Sequence, residues 1–212
     1  MSISSIRKDY QLKSLSENDV QKNPLDQFTY WWEEAVNAQL DEVNAMTLST
    51  VNADSRPSSR IVLLKGYDER GFVFFGNYES DKATQLHATP FASLLFFWKE
   101  LERQVRIEGS CIKVSPEESD EYFFSRPFGS RIGAWASPQS REVVGRSVFE
   151  QKAYELKLQY ADGNVPRPPH WGGYRVIPDR IEFWQGRSDR LHDRVLYKKT
   201  SESDWRISRL AP

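Results

Sequence analysis

The stretch from Ala45 to Val114 decides the fold, because short runs rich in β-branched and aromatic residues alternate there with turn-forming pieces. NADSRP (52–57) and YDERG (67–71) are two of those pieces. We predict five successive strands that curl towards a barrel: AMTLSTV (45–51), SSRIVLLKGY (58–67), FVFFGN (72–77), FASLLFFW (91–98) and RQVRIEGSCIKV (103–114).

An amphipathic helix is predicted ahead of these strands, since Asn23 suits an N-cap and Pro24 suits the first helical position. Residues 1–22 are polar and lack sustained periodicity, so we predict a mobile arm at 1–22 and a single domain at 23–212. The helical face expected to pack on the core repeats at Leu25, Phe28, Trp32, Val36 and Leu40.

Three more helices are predicted beyond the first strands. One runs from Ser80, as its cap, to His87, and Ser115 opens a second by a capping box and continues to about Ser125, before Pro127. The third spans Glu142 to Tyr160, with Val144, Val148, Ala153, Leu156 and Tyr160 towards the core.

Strands return after the last helix, without regular alternation of strand and helix. This order favours a mainly β fold, a mixed antiparallel barrel with peripheral helices, over a doubly wound sheet. The C-terminal strands are YRVIP (174–178), RIEFWQG (180–186), RVLYKK (194–199) and WRISRLAP (205–212).

Charge and composition exclude several classes of protein. Lys and Arg total 29 against 30 Asp and Glu, so no broad basic field exists for nonspecific nucleic-acid binding. The single Cys111 and the lack of an apolar core in the N-terminal residues predict a cytoplasmic protein. The longest apolar stretch, 91–98, is far shorter than the ~20 residues that span a bilayer, so we expect no membrane segment.

Motifs of three large enzyme classes are also missing from the sequence. Neither G-x-G-x-x-G nor G-x-x-x-x-G-K-[ST] occurs, and Gly129–Gly133 does not have G-x-S-x-G spacing. His87, His170 and His192 are far apart and there is no second cysteine, so no metal site is expected.

Two sets of residues have the chemistry of phosphate ligands. Arg60 and Lys65 lie five apart on one predicted strand and so point to opposite faces, where they either serve two anions or face solvent. Tyr122, Arg126 and Ser130 are spaced by four, so a phenol, a guanidinium and a hydroxyl can converge on one phosphate.

A second cradle is possible at Ser80-Asp81-Lys82, where a helix start supplies N–H groups and Lys82 a cation. The alternative is an ordinary cap with a surface lysine.

The run from Gly186 to Arg194 is unusually rich in charge. If it enters a strand, Arg190, His192 and Arg194 share a face and repel unless an anion or an electron-rich ring lies opposite. The alternative is an exposed turn whose arginines pair with the two aspartates of the run.

Five short motifs in chain order together resemble the pyridoxamine 5'-phosphate oxidase family: RIVLLK (60–65), LERQV (101–105), YFFSRP (122–127), QS (139–140) and RLHDR (190–194). The resemblance runs from about Arg7 to Pro212. It implies an FMN-binding split β-barrel and a homodimer with flavin at the subunit interface. It also implies oxidation of pyridoxamine 5'-phosphate and pyridoxine 5'-phosphate to pyridoxal 5'-phosphate, with O2 as acceptor and H2O2 as product.

The resemblance also implies roles for individual residues. Arg190 and His192 would be catalytic. The FMN ligands would be Arg60, Ile61, Val62, Leu63, Leu64, Lys65, Phe75, Gly76, Lys82, Gln104, Gln139, Ser140, Trp184 and Arg194. The substrate ligands would be Arg7, Lys8, Asp9, Tyr10, Lys65, Tyr122, Arg126, Ser130, Arg190, Leu191 and His192.

One position departs from the family pattern: Asp81 stands where the family usually has Arg, which implies a weaker hold on the FMN phosphate. The chemistry itself requires an electron-accepting cofactor, because no side chain accepts the hydride removed from an amine or alcohol. Two single-phosphate cradles without a dinucleotide fingerprint favour FMN over FAD or NAD.

Two alternative functions remain open. One is a related split-barrel flavoenzyme with another substrate, which would lack Tyr122, Arg126 and Ser130. The other is a non-catalytic flavin- or vitamer-binding barrel, which could lose Arg190 and His192. This chain has all five residues, which favours the oxidase over both alternatives.

Overall fold

The β-rich stretch forms one sheet in the computed structural model, which describes residues 2–5 and 8–212. The strands are β1 (Ala45–Val51), β2 (Pro57–Leu63), β3 (Gly66–Asp68), β4 (Gly71–Asn77), β5 (Phe91–Trp98), β6 (Arg103–Lys113), β7 (Trp171–Gln185), β8 (Asp193–Lys199) and β9 (Trp205–Arg209). The helices are α1 (Pro24–Asn37), α2 (Asp81–Ala88), α3 (Pro116–Ser125), α4 (Phe128–Ala136) and α5 (Ser147–Gln159).

The sheet is antiparallel and curls into a half-barrel that divides at β7. Its strand order is β2-β1-β5-β6-β7-β4-β3, and β8 pairs with β7 and β9. One edge of β7 faces β6, while the other pairs with β4 at residues 171–176 and with β8 at 180–185. This confirms the predicted mainly β split barrel with peripheral helices.

Two predicted strand boundaries are wrong. The run 58–67 breaks after Leu63, so β2 and β3 are separate strands. The two segments predicted at 174–178 and 180–186 form the single strand β7. Glu108 pairs with Arg180 and Gly109 with Pro178, so Asp179 is an extra residue that makes a bulge in β7 next to Pro178, which lacks an N–H to donate.

Helix α1 begins as predicted and packs on the core through most of the predicted face. The Asn23 side chain accepts a hydrogen bond from the Leu25 N–H, and the helix ends at Asn37, before Leu40. Phe28, Trp31 and Ala35 are buried, whereas Val36 is 47% exposed. Leu25, Trp32 and Leu40 are partly buried against the same core as Phe28, so the predicted stripe is confirmed except at Val36.

The helices between β6 and β7 also differ from the prediction. Ser115 caps α3 by accepting from the Glu118 N–H, as expected. Pro127 ends α3 but directly precedes the unpredicted helix α4. The predicted helix 142–160 is wrong at its start, since α5 begins at Ser147 and Val144 is fully exposed.

Two hydrophobic clusters support the molecule. The larger lies between α1 and the sheet, and a smaller one around Phe123, Ile132, Leu156 and Trp171 joins α3, α4 and α5 to β7. Residues of the predicted N-terminal arm contact the barrel: Leu15 is buried in the larger cluster. Mobility of the arm stays a prediction, and Arg7 lies outside the described residues.

Within residues 2–5 and 8–212, no helix combines the length and apolar character needed to cross a membrane.

Candidate active site

A cavity of about 580 Å³ opens between β2, β4, α3 and α4. It gathers most of the residues that the sequence singled out for phosphate and flavin. Those lining it are Arg60, Ile61, Val62, Leu63, Lys65, Phe75, Gly76, Lys82, Tyr122, Arg126, Ser130 and Gln139.

Arg60 is fixed at one side of this cavity by oxygen acceptors. Its Nη1 donates to Thr50 Oγ1 at 2.5 Å, and its Nη2 donates to Ser58 Oγ at 2.7 Å. These acceptors are neutral, and no carboxylate of the described residues is hydrogen-bonded to the guanidinium. Burial lowers the pKa of Arg60 from its ordinary value.

Lys82 points into the same part of the cavity from the first turn of α2. Its Nζ donates to Ser80 Oγ at 2.9 Å and to Gln139 Oε1 at 3.1 Å, and its side chain is buried. Burial, with the charge of Arg60 as a smaller cause, lowers the pKa of Lys82 to about 8. A Cβ at Gly76 would lie 2.8 Å from Lys82 Cε, so glycine leaves the room that this amine occupies.

Ser80 stands at the N-cap position of α2, but the prediction that its side chain caps the helix is wrong. Its hydroxyl donates to the Asn77 carbonyl at 2.7 Å and accepts from Lys82, and it makes no capping bond. The hydroxyl therefore orients Lys82 instead of closing the helix end.

Aromatic rings hold the second cationic part of the cavity. Tyr122 stacks on Phe75 with ring centroids 4.1 Å apart, and the Arg126 guanidinium lies 4.6 Å from the ring centroid of Trp171. Burial lowers the pKa of Arg126. Its Nη1 is buried without a hydrogen-bond partner among the described residues. An unpaired buried guanidinium donor of this kind suits an anionic ligand.

Trp171 lines the cavity and was missed in the sequence. It follows the proline-rich loop 164–170 and precedes Gly172 and Gly173. An aromatic residue in this position, at the start of a strand, is the one sequence signal that could have pointed to it. Asn77, Gly133, Ala134 and Ser137 also line the cavity without having been predicted.

Lys65 lies beyond the end of β2, so the prediction that it faces away from Arg60 does not apply. Its N–H donates to the Val73 carbonyl at 2.9 Å, and its Nζ is 5.8 Å from the ring centroid of Tyr122. Both cations therefore line one cavity.

A second group of predicted residues lies elsewhere on the chain. Gln104, Trp184 and Arg194 are directly opposite one another on β6, β7 and β8. Arg194 donates to both carboxylate oxygens of buried Glu182, at 2.8 and 3.1 Å, and this bond raises its pKa.

Next to this row is a cavity of about 520 Å³ between the N-terminal segment and the turn after β7. The ring centroid of His192 lies 4.6 Å from that of Trp184, and its Nδ1 accepts from the Arg187 N–H at 3.1 Å. The residues lining this cavity are Lys8, Asp9, Tyr10, Arg187, Asp189, Arg190 and His192.

The predicted common strand face of Arg190, His192 and Arg194 is wrong. β8 begins only at Asp193, and Arg190 ends a short 3-10 turn with φ of 63°. Arg194 forms an ion pair with Glu182, and Arg187 Nη1 forms one with Asp193 Oδ2 at 2.9 Å. Of these three predicted residues, Arg190 and His192 line the cavity and Arg194 does not.

Besides Gln104, Trp184 and Arg194, three more predicted ligands line neither cavity. Leu64 is buried in the hydrophobic core, because the chain turns inward after β2. Ser140 is exposed with φ of 69°, and Leu191 is 69% exposed.

The described residues form no cluster of three or more His, Cys, Asp or Glu side chains placed to hold a metal ion.

Sequence profiles of known families match nearly the whole chain. Residues 32–160 match the family described as pyridoxamine 5'-phosphate oxidase. The chain belongs to this family. Residues 171–212 match the pyridoxine 5'-phosphate oxidase C-terminal dimerisation region, which comprises β7, β8 and β9.

Curated relatives extend this similarity over the full length. The pyridoxine/pyridoxamine 5'-phosphate oxidase of Paraburkholderia phytofirmans is 60% identical over 212 residues, covering 100% of this chain and 99% of the relative. The protein of the same name from a Cyanothece species is 55% identical with the same coverage.

Solved structures share the fold. PhzG from Burkholderia lata, in complex with tetrahydrophenazine-1-carboxylic acid, superposes with a TM-score of 0.89 at 32% identity, covering 97% of this chain and 100% of that one. A pyridoxamine 5'-phosphate oxidase-related, FMN-binding protein from Nostoc punctiforme gives 0.71 at 17% identity, covering 90% and 98%.

Proposed function

We propose that this protein is an FMN-dependent oxidase that converts pyridoxamine 5'-phosphate and pyridoxine 5'-phosphate to pyridoxal 5'-phosphate. The amine consumes O2 and water and yields ammonia and H2O2, and the alcohol consumes O2 and yields H2O2. The observation that carries the proposal is the buried, unpaired Nη1 of Arg126 in a cavity that also contains Lys82 and Arg60.

The cavity residues fit two separate phosphates. Arg60 and Lys82 form one cationic cluster, and Lys65 with Arg126 forms the other beside the hydroxyls of Tyr122 and Ser130. None of these four cations has a carboxylate within 4.0 Å among the described residues, so their charge is available to ligands. One cluster suits the phosphate of FMN and the other the phosphate of the substrate.

Bound FMN supplies the hydride acceptor that the chain itself lacks. The chain's residues bind and orient. Lys65 and Arg126 anchor the substrate phosphate, so its reactive carbon is held at a set distance from the flavin cluster. Phe75 and Tyr122 stack on each other and give the cavity an apolar surface beside the cations.

Arg190 and His192 are proposed to flank the substrate ring, with Arg190 orienting the substrate and assisting proton removal. His192 Nδ1 accepts from the Arg187 N–H, so the proton of a neutral ring lies on Nε2, which can donate. These two residues line a different cavity from Arg126 in the single chain.

We infer that a second copy completes each site. The C-terminal profile match to a dimerisation region supports this, as do two apolar side chains at the sheet surface: Ile61 is 65% exposed and Phe97 53% exposed. The cavity with Arg126 from one protomer and the turn with Arg190 from its partner would then form one site.

The test is the absorbance spectrum of the purified protein, followed by peroxide release on adding pyridoxamine 5'-phosphate. We expect a flavin spectrum, release of FMN on denaturation, and peroxide in proportion to substrate. Release of FAD, or flavin-loaded protein that produces no peroxide with either substrate, would contradict the proposal.

The similarity to PhzG makes carboxylate compounds such as tetrahydrophenazine-1-carboxylic acid a second substrate class to test, because PhzG resembles this protein over nearly the whole chain. The paired cations Lys65 and Arg126 favour a phosphate dianion over a ligand with one carboxylate. We therefore expect inorganic phosphate to compete with the substrate more strongly than acetate does.

A further inference from the structure

Glu102 is a buried carboxylate whose side-chain partners all come from the N-terminal segment. Its Oε2 accepts from the N–H groups of Gln11 at 2.9 Å and Leu12 at 3.1 Å, and its Oε1 lies 3.1 Å from Lys8 Nζ. Only 2% of Glu102 is exposed. A carboxylate this deeply buried is unfavourable unless it is fully bonded, and here the bonding groups belong to residues 8–12.

The electrostatics agree with this geometry. Desolvation raises the pKa of Glu102, but the bonds from Leu12, Lys8 and Gln11 outweigh it, so the pKa lies below its ordinary value. The carboxylate is therefore charged when the segment is in place.

The main chain of Glu102 is fixed as well. It follows the 3-10 turn Lys99–Leu101 between β5 and β6, with φ of 55°, in the left-handed region that few residues other than glycine adopt. Its carbonyl accepts from the Gly186 N–H at 2.7 Å and from Gln185 Nε2 at 3.2 Å. One residue thus ties the end of β7 to the N-terminal segment.

This arrangement determines where Tyr10 lies. A Cβ at Gly186 would come within 2.7 Å of Tyr10 Cγ, so the ring packs directly on the glycine. The same ring lies 5.8 Å from Trp184 and 6.0 Å from His192, measured between centroids. Ser188 Oγ donates to the Tyr10 carbonyl at 3.4 Å.

We propose that Glu102 is a positioning residue that holds residues 8–12 against the turn at 187–192, so that Lys8, Asp9 and Tyr10 form one wall of the 520 Å³ cavity. Arg190 and His192 form the facing wall. The effect on turnover rests on the proposed function, whereas the effect on the order of residues 8–12 does not.

The first test measures amide hydrogen exchange in the purified protein. In Glu102→Ala we expect Gln11 and Leu12 to exchange at least about tenfold faster, and Ile107 in β6 to change less than about twofold, because only the local bonds are lost. Glu102→Gln should be intermediate, since its amide oxygen accepts these bonds without charge. Glu100→Ala, which removes an exposed carboxylate from the same turn, is the matched control and should change neither.

Unchanged exchange at Gln11 and Leu12 in Glu102→Ala would overturn the proposal. So would equal acceleration of these amides and of Ile107, because Glu102 would then be a general stabiliser of the barrel.

The second test is kinetic, at saturating FMN. We expect Glu102→Ala and Tyr10→Ala each to raise KM for pyridoxamine 5'-phosphate at least about fivefold while kcat falls less than about threefold. Faster amide exchange with an unchanged KM would refute the claim that Lys8, Asp9 and Tyr10 form a wall of the substrate-binding cavity. A wild-type protein that oxidises neither pyridoxamine 5'-phosphate nor pyridoxine 5'-phosphate would refute the proposed function. The hydrogen-exchange result would still decide the role of Glu102.

Discussion

If FMN binds at Lys82, its binding should depend on pH, because the amine is buried near Arg60 and its pKa is lowered to about 8. It is charged below that pH and becomes neutral above it. An FMN phosphate favours the charged form, so affinity should be highest below pH 8 and fall as pH rises. We expect FMN to bind about tenfold more weakly at pH 9 than at pH 7.

Titrations of apoprotein with FMN at both pH values test this. Lys82→Arg keeps its charge and should show a nearly flat profile over the same range. An equally steep profile for the arginine variant would assign the pH dependence to another group.

Arg126 is expected to act on the substrate and not on the flavin. Arg126→Ala removes a charge-assisted bond to the substrate phosphate, which contributes about 1.5–3 kcal/mol, so KM should rise roughly 10- to 150-fold. The FMN dissociation constant should stay within about twofold, since Lys82 and Arg60 are unchanged. KM and the FMN constant changing by the same factor would contradict the assignment. Arg126→Lys keeps the charge but loses the planar fork of donors, so its KM should lie between those of the wild type and Arg126→Ala.

At the scale of elements, the first turn of α2 contains an exposed carboxylate near the flavin cluster. Burial lowers the pKa values of Arg60 and Lys82, and the nearby charge of Asp81 opposes this lowering in part. If the FMN phosphate lies there, Asp81→Arg should improve affinity by about 1 kcal/mol, roughly fivefold, and the gain should shrink with salt.

Asp81→Asn is the control, because it removes the repulsion without adding a cation and should give a smaller gain. The competing role of Asp81 is to favour the positive end of α2, in which case the arginine variant would lose a few tenths of a kcal/mol in stability. Unchanged or weaker FMN binding by Asp81→Arg at low salt would eliminate the repulsion account.

The start of β7 supports the aromatic wall of the cavity by close packing. A Cβ at Gly173 would lie 2.7 Å from Phe75 Cε1 and 2.5 Å from Val114 Cγ2. Gly173→Ala should therefore push Phe75 towards Tyr122, destabilise the fold by about 1–3 kcal/mol and raise KM.

Gly129→Ala in α4 is the matched control, because nothing lies within 4 Å of its Cβ and alanine favours a helix. Thermal unfolding and KM measured on both variants decide the point. A Gly173→Ala protein as stable as wild type, with normal KM, would show that Phe75 moves freely.

At the scale of the whole molecule, the separation of Arg126 and Arg190 into two cavities makes subunit mixing informative. At a substrate concentration near the wild-type KM or below it, Arg126→Ala and Arg190→Ala should each have little activity. In a mixed dimer, one site would combine both intact residues if each site is built from two chains. Co-refolding equal amounts should then restore about a quarter of wild-type activity, since half the dimers are mixed and one site in each is intact.

Sedimentation should show a dimer for wild type and both variants. Absence of any recovery on mixing, with dimers present, would place the whole site within one chain.

Much of the fold was predictable because its signals are local. Strands β1, β4, β5 and β6 fall within about a residue of the predicted runs, since alternating burial and turn residues mark them directly. Boundaries failed where a distant contact decides the outcome. The continuity of β7 through Pro178 depends on a bulge at Asp179 opposite β6, and the burial of Trp31 and Ala35 in α1 depends on the sheet below it.

The sequence by itself determined the mainly β class, the capped helices α1 and α3, the family and the residues with phosphate-binding chemistry, because residue type and spacing carry that information. Tertiary structure alone decided which of these residues meet. The Trp171 ring packs against the Arg126 guanidinium from another element of the fold. Arg194 pairs with Glu182 and does not join Arg190 and His192, and Leu64 is buried in the core. The physical reason is that burial and pairing depend on groups far apart in the chain, whose approach no local pattern records.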